Sequence, residues 1–509
     1  MAKTIMFQGT SSHVGKSILT TALCRIFKQD GYRVTPFKAQ NMALNSYVTP
    51  SGGEMGRAQV AQAEAAGLEP AVEMNPVLLK PTGNSRSQVI VMGRPIGVMS
   101  ASEYHAGYSK KLLGVIGDCL DELQQRYDIV VIEGAGSPAE VNLKANDIVN
   151  MRIALMVQAP VFLIADIDRG GAIASVVGTI SLLEPEEQDR VQGIILNKFR
   201  GDINLLRPAF DIILAKTGKP VVGVIPHLEN IGIDDEDSVS LDDKKNQAGR
   251  DLEIAVIRLP KISNFTDFDV LSREPDVSLR YVRQGEALGQ PDLIILPGSK
   301  NTTEDLLYLK EQGYEAEIQA LAAQGTPVIG ICGGYQMLGQ KLLDPLHTES
   351  DLPELAGLGL LPVVTTFAAE KLTDQVEAMP GGGRTFLDTA PSSDRLRGYE
   401  IHMGRTEFVG PVQPAFSIVQ RSGEPVESAD GVVSDNGLVL GTYLHGIFDN
   451  DEFRRSVLDA LRLRKGLPAL SGGSPKYSEQ KEAAYDRLAD LVRANLDMAA
   501  IRRAMGLPL

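Results

Sequence analysis

The amino-acid sequence predicts an α/β protein built from two doubly wound, mainly parallel-sheet domains and a helical tail. Three observations carry this reading. Short apolar runs alternate with helical patterns in two successive series, the pattern of parallel sheets covered by helices on both faces. The first run of the first series leads directly into a glycine-rich loop that opens a helix. A run in the second series ends on a cysteine followed by two glycines and another helical pattern. At 509 residues the chain exceeds what one core organises, which is about 150–250 residues. The expected division is a phosphate-binding domain over 1–233, a linker over 234–250, a second domain over 251–450 and a helical extension over 451–509.

Composition narrows the class. A formal net charge of −15 argues against nucleic acid as a general partner, while leaving room for a local basic pocket. The longest nearly apolar stretch, Ile153 to Ala165, is broken by Gln158 and Pro160 and is too short for a bilayer, so no membrane association is expected. The first residues run straight into a strand pattern with no cleavable apolar segment, and the expected location is the cytoplasm. Cys24, Cys119 and Cys332 are too widely spaced for a disulfide framework or a metal-ligand pattern.

In the first series, the runs are Thr4–Phe7, Asp128–Ile132, Pro160–Ile164, Gly193–Leu196 and Pro220–Ile225. The first is followed by Gly9-Thr-Ser-Ser-His-Val-Gly-Lys-Ser17 and a helical pattern from Ile18. Backbone N–H groups of such a loop, with the helix N-terminus, surround phosphate oxygens. Lys16 would reach the β/γ-phosphates of ATP, and the Ser17 hydroxyl would sit on Mg²⁺. Thr10 stands where the ordinary pattern has glycine; Gly9 is one residue early and Gly15 keeps its place, so the loop is one residue longer. Downstream, Pro36–Ser46 and Glu54–Gln59 fit no amphipathic helix. Lys38 offers a second cation over the phosphates, while Gln40, Asn41 and Asn45 offer amides for recognising carboxylates or carboxamides. Lys80 and Arg86 lie in a second donor-rich loop, Lys80-Pro-Thr-Gly-Asn-Ser-Arg-Ser-Gln88. Together these stretches describe a pocket for a polyanionic substrate. Asp166 and Asp168 close the next strand and would share a side if the strand continues, to bind metal or orient substrate.

The lengthened loop resembles that of the dethiobiotin synthetase family, ATP-dependent ligases that phosphorylate a carboxylate or carbamate before nitrogen attacks. In that light Glu133, at the C-terminal end of Ile129–Ile132, is the lead Mg²⁺ ligand beside Ser17. The resemblance also implies that Asn197, in Asn197-Lys-Phe-Arg-Gly-Asp202, contacts the nucleotide base.

The segment 234–250 is charged, poor in large apolar residues and expected to be an exposed linker. Strand runs resume at Leu252–Arg258, Asp292–Pro297, Pro327–Ile331 and Leu438–Tyr443. In Thr326-Pro-Val-Ile-Gly-Ile-Cys-Gly-Gly-Tyr-Gln-Met-Leu338, Cys332 falls on a sharp strand-to-helix turn. That turn exposes the sulfur near a helix N-terminus, which favours thiolate, and leaves the next backbone N–H for an oxyanion. His445, just past a strand end, is the first candidate for its base and His402 the second. The N–H groups of Gly298 and Gly333 are the candidate oxyanion hole. Residues 251–450 resemble the class I glutamine amidotransferase family, in which cysteine attacks the side-chain amide of glutamine and ammonia is released. Those domains carry Glu two residues after the histidine; here Ile447 stands there, so the group that orients His445 is left open, with Glu400 a weaker candidate.

An ATP-dependent carboxylate-activating half followed by a glutaminase half describes amide synthesis. The domain order, the extended loop, Phe37–Asn45, Asp166–Gly171, Asn197–Asp202 and Gly330–Leu338 are together similar to the cobyric acid synthase family across the whole chain. That resemblance implies a corrinoid substrate, with amidation of the b, d, e and g carboxylates of adenosylcobyrinic acid a,c-diamide in cobalamin biosynthesis. The residues by themselves reach carboxylate amidation and no further. Alternatives are the related enzyme that amidates the a and c carboxylates, a nucleotide-switched partitioning ATPase, and a non-catalytic glutaminase-like binding module.

Overall fold

The computed structural model describes residues 2–83, 85–228, 231–233, 241, 249–390, 395–470 and 476–508. Most of the segment read as a linker therefore lies outside the described residues. The chain groups into two compact units: Met1–Ala43, Met55–Asp234 and Ser478–Leu509 form the first, and Leu44–Glu54 with Asp235–Tyr477 the second. Two segments group away from their neighbours in sequence. Leu44–Glu54, inside the phosphate-binding half, belongs to the second unit, and the tail divides at Ser478. No described helix is long and apolar enough to cross a membrane.

The first unit is built on six parallel strands: β1 (Lys3–Gly9), β2 (Val34–Phe37), β3 (Ile129–Glu133), β4 (Val161–Asp166), β5 (Val191–Phe199) and β6 (Val221–Pro226), in the order β6-β5-β4-β1-β3-β2. β3 and β4 are buried at every position, as strands covered on both faces must be, which is why they read as unbroken apolar runs. Because β1 lies between β3 and β4, the loop after Gly9, the carboxylate of Glu133 and that of Asp166 all leave the same sheet edge. This is where ligands bind in open α/β sheets. Helix α1 (Lys16–Gln29) follows the loop and is buried over most of its length. Gln40–Met42 is a strand, paired parallel with the first residues of Val77–Gly83. The stretch read as a donor-rich loop at Lys80–Gln88 is a hairpin, Val77–Gly83 against Arg86–Val91. The alanine-rich helix Arg57–Ala66 is buried on nearly every side, its polar Arg57, Gln59 and Gln62 included, so it has no solvent-exposed polar face to give it an amphipathic signature.

The second unit has its own six-stranded sheet: β7 (Leu252–Ile257), β8 (Val277–Val282), β9 (Leu293–Leu296), β10 (Val328–Ile331), β11 (Val432–Val433) and β12 (Val439–Thr442), in the order β8-β7-β9-β10-β12-β11. All pairs are parallel except β11 with β12. A separate antiparallel layer is organised around Val363–Pro380, which pairs with Leu396–Phe408 on one side and Phe416–Arg421 on the other. It has no counterpart in the sequence expectation. Helix Asp451–Arg464 buries Phe453, Val457, Leu458 and Leu461 in this unit's core.

Candidate active site

In the second unit, β10 ends at Ile331 and the helix Gly333–Leu338 (α2) begins two residues later, leaving Cys332 alone on the turn. Its backbone is at φ 53°, ψ −110°, a conformation an L-residue adopts only when its surroundings impose it. Here they do: the Cys332 N–H donates to Thr442 O of β12 at 2.8 Å, and glycines remove every side chain that would collide. A Cβ on Gly334 would lie 2.0 Å from the carbonyl oxygen of Leu296, and one on Gly333 would lie 2.9 Å from the backbone nitrogen of Ser299. The glycine pair in the sequence is thus explained by close backbone approach. The thiol is 6% exposed and points its Sγ toward Ile401 O at 3.5 Å.

β12 runs beside β10, with Thr442 opposite Ile331, so the chain past Thr442 brings His445 to the same edge as Cys332. The imidazole is held from one side by Asp267: Nδ1 lies 2.6 Å from Asp267 Oδ2, and the Gly446 N–H donates to Asp267 Oδ1 at 3.1 Å. With a carboxylate as acceptor, Nδ1 is the protonated nitrogen. Nε2 is buried, and among the described residues the group it interacts with is Cys332, which lies beyond a well-formed hydrogen bond. Burial opposes charge on this ring, but the Asp267 carboxylate and Cys332 outweigh it and raise the imidazole to about 10. The Tyr399 ring stacks on the imidazole at 5.0 Å and 15°. Gly298 lies against the same ring, since a Cβ there would be 3.1 Å from His445 Cε1. Gly298 thus lies beside His445 and Ser299 beside Gly333, the residue after Cys332, and Gly333 is in the first helical turn, where N–H groups have no intrahelical acceptor.

The group that orients His445 is Asp267, which the sequence reading missed. It lies in Asn264–Asp269, past the end of β7, and its separation of 178 residues from His445 gives no local spacing to detect. Ile447, at the position where glutamate was expected, is 1% exposed and part of the hydrophobic core. Glu400 is engaged by Arg421 at 2.9 Å. His402 is a different kind of group: burial pushes it down to about 4, its Nδ1 meets Gly404 O at 2.8 Å, and it stacks on Tyr443 at 3.7 Å.

In the first unit, Gly9 is where a glycine must be, although the motif spacing is unusual. A Cβ there would sit 2.7 Å from Ser11 O and 3.0 Å from Lys16 Nζ. The Thr10 N–H donates to Ile164 O at 2.9 Å, anchoring the loop to β4. Gly15 has φ 96° and would collide with Asn197 Nδ2 at 2.1 Å if it carried a Cβ. Lys16 Nζ donates to Ser11 O and Gly136 O, at 3.1 and 3.2 Å. Ser17 Oγ donates to Glu133 Oε1 at 2.9 Å, and the same carboxylate, 1% exposed, accepts from Lys38 Nζ at 2.8 Å, Gln62 at 2.6 Å and Gln59 at 3.4 Å. Asn41 donates to Gln59 Oε1 at 2.8 Å, extending this network to the Gln40–Met42 strand. Ser17 and Glu133 form an adjacent pair of hard oxygen donors, a set that fits Mg²⁺ with water and phosphate oxygens completing its shell. Among the described residues no group of three or more His, Cys, Asp or Glu forms a cation cage.

The remaining sequence candidates are distributed over both units. Asn197 donates to Val14 O at 2.7 Å and so braces the loop. β4 ends at Asp166, and the Asp168 N–H turns back onto Asp166 Oδ1 at 3.0 Å, so the two carboxylates do not share the side of a continuing strand. Asp166 pairs with Lys198 at 3.0 Å and Asp168 approaches Arg200 at 3.6 Å. Gln40 accepts from Tyr104 OH at 2.5 Å. Lys80 is 3% exposed within its strand, whereas Arg86 is exposed at the start of the return strand, where it donates to Val98 O at 3.4 Å. Asn45 belongs to the second unit, where it accepts from Thr266 Oγ1 at 3.2 Å.

Comparison with known proteins covers both halves. Residues 5–240 match the family model of the CobQ/CobB/MinD/ParA nucleotide binding domain, and residues 253–453 match that of the CobB/CobQ-like glutamine amidotransferase domain. The cobyric acid synthase of Pelotomaculum thermopropionicum is 59% identical over 513 residues, spanning 100% of this chain and 97% of that protein. That of Moorella thermoacetica is 55% identical over 509 residues, with 100% and 98% covered, and that of Desulforamulus reducens 54% identical over 509 residues, with 100% and 99% covered.

Proposed function

The chain belongs to the cobyric acid synthase family, and from this premise we propose that it amidates the b, d, e and g side-chain carboxylates of adenosylcobyrinic acid a,c-diamide with ATP and glutamine. The observation that carries the glutaminase half is the buried Asp267–His445 pair presented beside Cys332 at the end of β10.

The steps follow from these groups. In the reactive pair the proton of the Cys332 thiol rests on His445 Nε2, so that the imidazolium held by Asp267 is the counter-ion of the thiolate. Sγ attacks the side-chain carbonyl carbon of glutamine, and the oxyanion is stabilised by the N–H groups of Gly298 and Gly333. The carbon–nitrogen bond breaks as His445 protonates the departing nitrogen, giving ammonia and a glutamyl thioester on Cys332. Water, deprotonated by His445, hydrolyses the thioester to glutamate and restores the thiolate–imidazolium pair. In the nucleotide-binding unit the loop Gly9–Ser17 holds the phosphates of ATP with Lys16, and the substrate carboxylate attacks the γ-phosphorus to give an acyl phosphate and ADP. Ammonia displaces phosphate from that acyl group, forming the amide. Ser17 and Glu133 would hold Mg²⁺, which when bound neutralises phosphate charge. Lys38 keeps the Glu133 carboxylate in place and Asn197 keeps the loop closed, with its side chain beside the nucleotide. Gln40, Asn41, Lys80 and Arg86 supply donors for a substrate rich in carboxylates and amides.

The test is Cys332→Ser. Glutamine-dependent amidation is expected to be lost while amidation with added ammonia survives, and the mass of the wild-type product from the a,c-diamide should show four new amides. Unchanged glutamine-dependent activity in the variant would falsify the assignment of Cys332.

A further inference from the structure

The segment Leu44–Glu54 leaves the first unit after Ala43, packs within the second, and returns to the first at Met55. Its contacts there converge on the loop that carries Asp267. The Ser46 N–H donates to Asn264 Oδ1 at 3.3 Å, and the Asn264 amide donates to Tyr399 OH at 3.0 Å. That hydroxyl in turn donates to Ser46 O at 3.4 Å, closing a three-residue ring of hydrogen bonds. Asn45 Oδ1 accepts from Thr266 Oγ1 at 3.2 Å, so the strap grips the residue immediately before Asp267 as well as the one three before it. Asn264 is held at φ 53°, a left-handed conformation that a non-glycine residue keeps only when its contacts hold it.

A second line of contact reaches the imidazole itself. Tyr47 packs edge-on against Tyr399 at 5.1 Å and 60°, and Tyr399 stacks face to face on His445. Tyr399 and His445 also exchange backbone hydrogen bonds, N–H to O, at 3.2 and 2.9 Å. Gly398 leaves room for this, since a Cβ there would lie 2.5 Å from His445 O. Both halves of the Asp267–His445 pair are thus buttressed by one strap: the aspartate through Asn264 and Thr266, the imidazole through Tyr399.

We propose that the strap Asn45–Tyr47, acting through Tyr399, Asn264 and Thr266, positions the Asp267–His445 pair against Cys332, making Tyr47 a positioning residue for glutamine hydrolysis. The strap acts on the pair through Tyr399, Asn264 and Thr266, so its loss should change the rate of thioester chemistry more than the binding of glutamine. The inference rests on the glutaminase reading of Cys332, and the experiment separates the two.

Full-length Tyr47→Ala, Tyr47→Phe, Thr266→Val and Cys332→Ser are compared with wild type for amidation driven by glutamine and by ammonia. A displacement of about 1 Å in a catalytic pair costs up to roughly a hundredfold, so Tyr47→Ala should lose at least about tenfold in glutamine-dependent kcat. Its KM for glutamine should stay within about twofold and its ammonia-dependent rate should be unchanged. Tyr47→Phe, which keeps the ring, should restore the rate. Thr266→Val, of nearly the same shape, should show the same split in milder form and carries the test if Tyr47→Ala does not fold. Wild-type glutamine kinetics in Tyr47→Ala and Thr266→Val, or an equal loss with glutamine and ammonia, would overturn the strap's role. If Cys332→Ser itself keeps glutamine-dependent activity, the glutaminase reading fails and the strap proposal with it.

Discussion

At the residue scale the glutaminase site turns on a histidine whose charge is set by two neighbours, Asp267 and Cys332. Asp267 approaches Nδ1 at 2.6 Å in a site with almost no solvent, and its attraction, with that of Cys332, prevails over the burial that disfavours the imidazolium. Replacing Asp267 by Asn keeps the shape but removes the charge and allows the wrong tautomer. Glutamine-dependent kcat should fall by roughly 10²–10⁴, with ammonia-dependent amidation retained, as steady-state assays with each nitrogen donor will report. The same pair makes stability depend on pH. The folded-state value of His445, about 10, lies above the ordinary 6.5, so the folded protein holds the proton more tightly than the unfolded chain. That stabilisation is complete below about 6.5 and is lost as pH rises through about 10. Thermal melts between these values should show a decline in wild type that is shallower in Asp267→Asn. Cys332 and His445 were legible in the sequence because each sits in a local pattern of glycine and strand residues. Asp267 was not, because its role is a distance across the fold.

At the scale of elements, both candidate sites are strand-to-helix turns whose geometry is enforced by glycine. Gly334 in α2 faces the carbonyl of Leu296, a backbone atom of β9 that cannot move cheaply. Gly334→Ala should destabilise the second unit by about 1–3 kcal/mol, measured by urea unfolding, and lower glutamine-dependent turnover. In the phosphate loop, Gly15→Ala meets both a positive φ of 96° and the Asn197 amide. ATP affinity should fall at least about tenfold, or ~1.4 kcal/mol, by calorimetric titration. The parallel strands were readable because a strand covered on both faces is apolar throughout. The antiparallel layer around Val363–Pro380 was not, because strands such as Leu396–Phe408 mix buried with half-exposed positions and carry charged residues. Likewise Arg57–Ala66 escaped notice because a helix buried all round shows no amphipathic period.

For the whole molecule, the last helices are part of a core rather than an appendage. Tyr485, Leu488 and Val492 of α3 (Tyr477–Asn495), with Ile501 beyond it, share one cluster with Leu19, Leu23 and Phe27 of α1. Arg25 adds ion pairs to Asp486 at 2.7 Å and Glu482 at 2.9 Å. Losing a single large buried apolar side chain costs about 2–5 kcal/mol, and a domain has only about 5–15 kcal/mol to lose. A chain ending at Tyr477 should therefore fail to form a nucleotide-binding unit, seen as loss of ATP binding and rapid proteolysis of that half.

The sequence by itself determined the two-sheet α/β class, the phosphate loop, the cysteine elbow and the chemistry of amide synthesis, because each is written in residues close together in the chain. Only the tertiary structure decided what lies across long separations: Asp267 behind His445, Asn197 bracing the loop beside Gly15, Lys38 on Glu133, and the strap Leu44–Glu54 within the second unit. The physical reason is common to all four. Periodicity and motif spacing record what a residue needs from its immediate backbone, whereas a buried ion pair or hydrogen bond is satisfied by whichever group the packing of distant elements brings within about 3 Å.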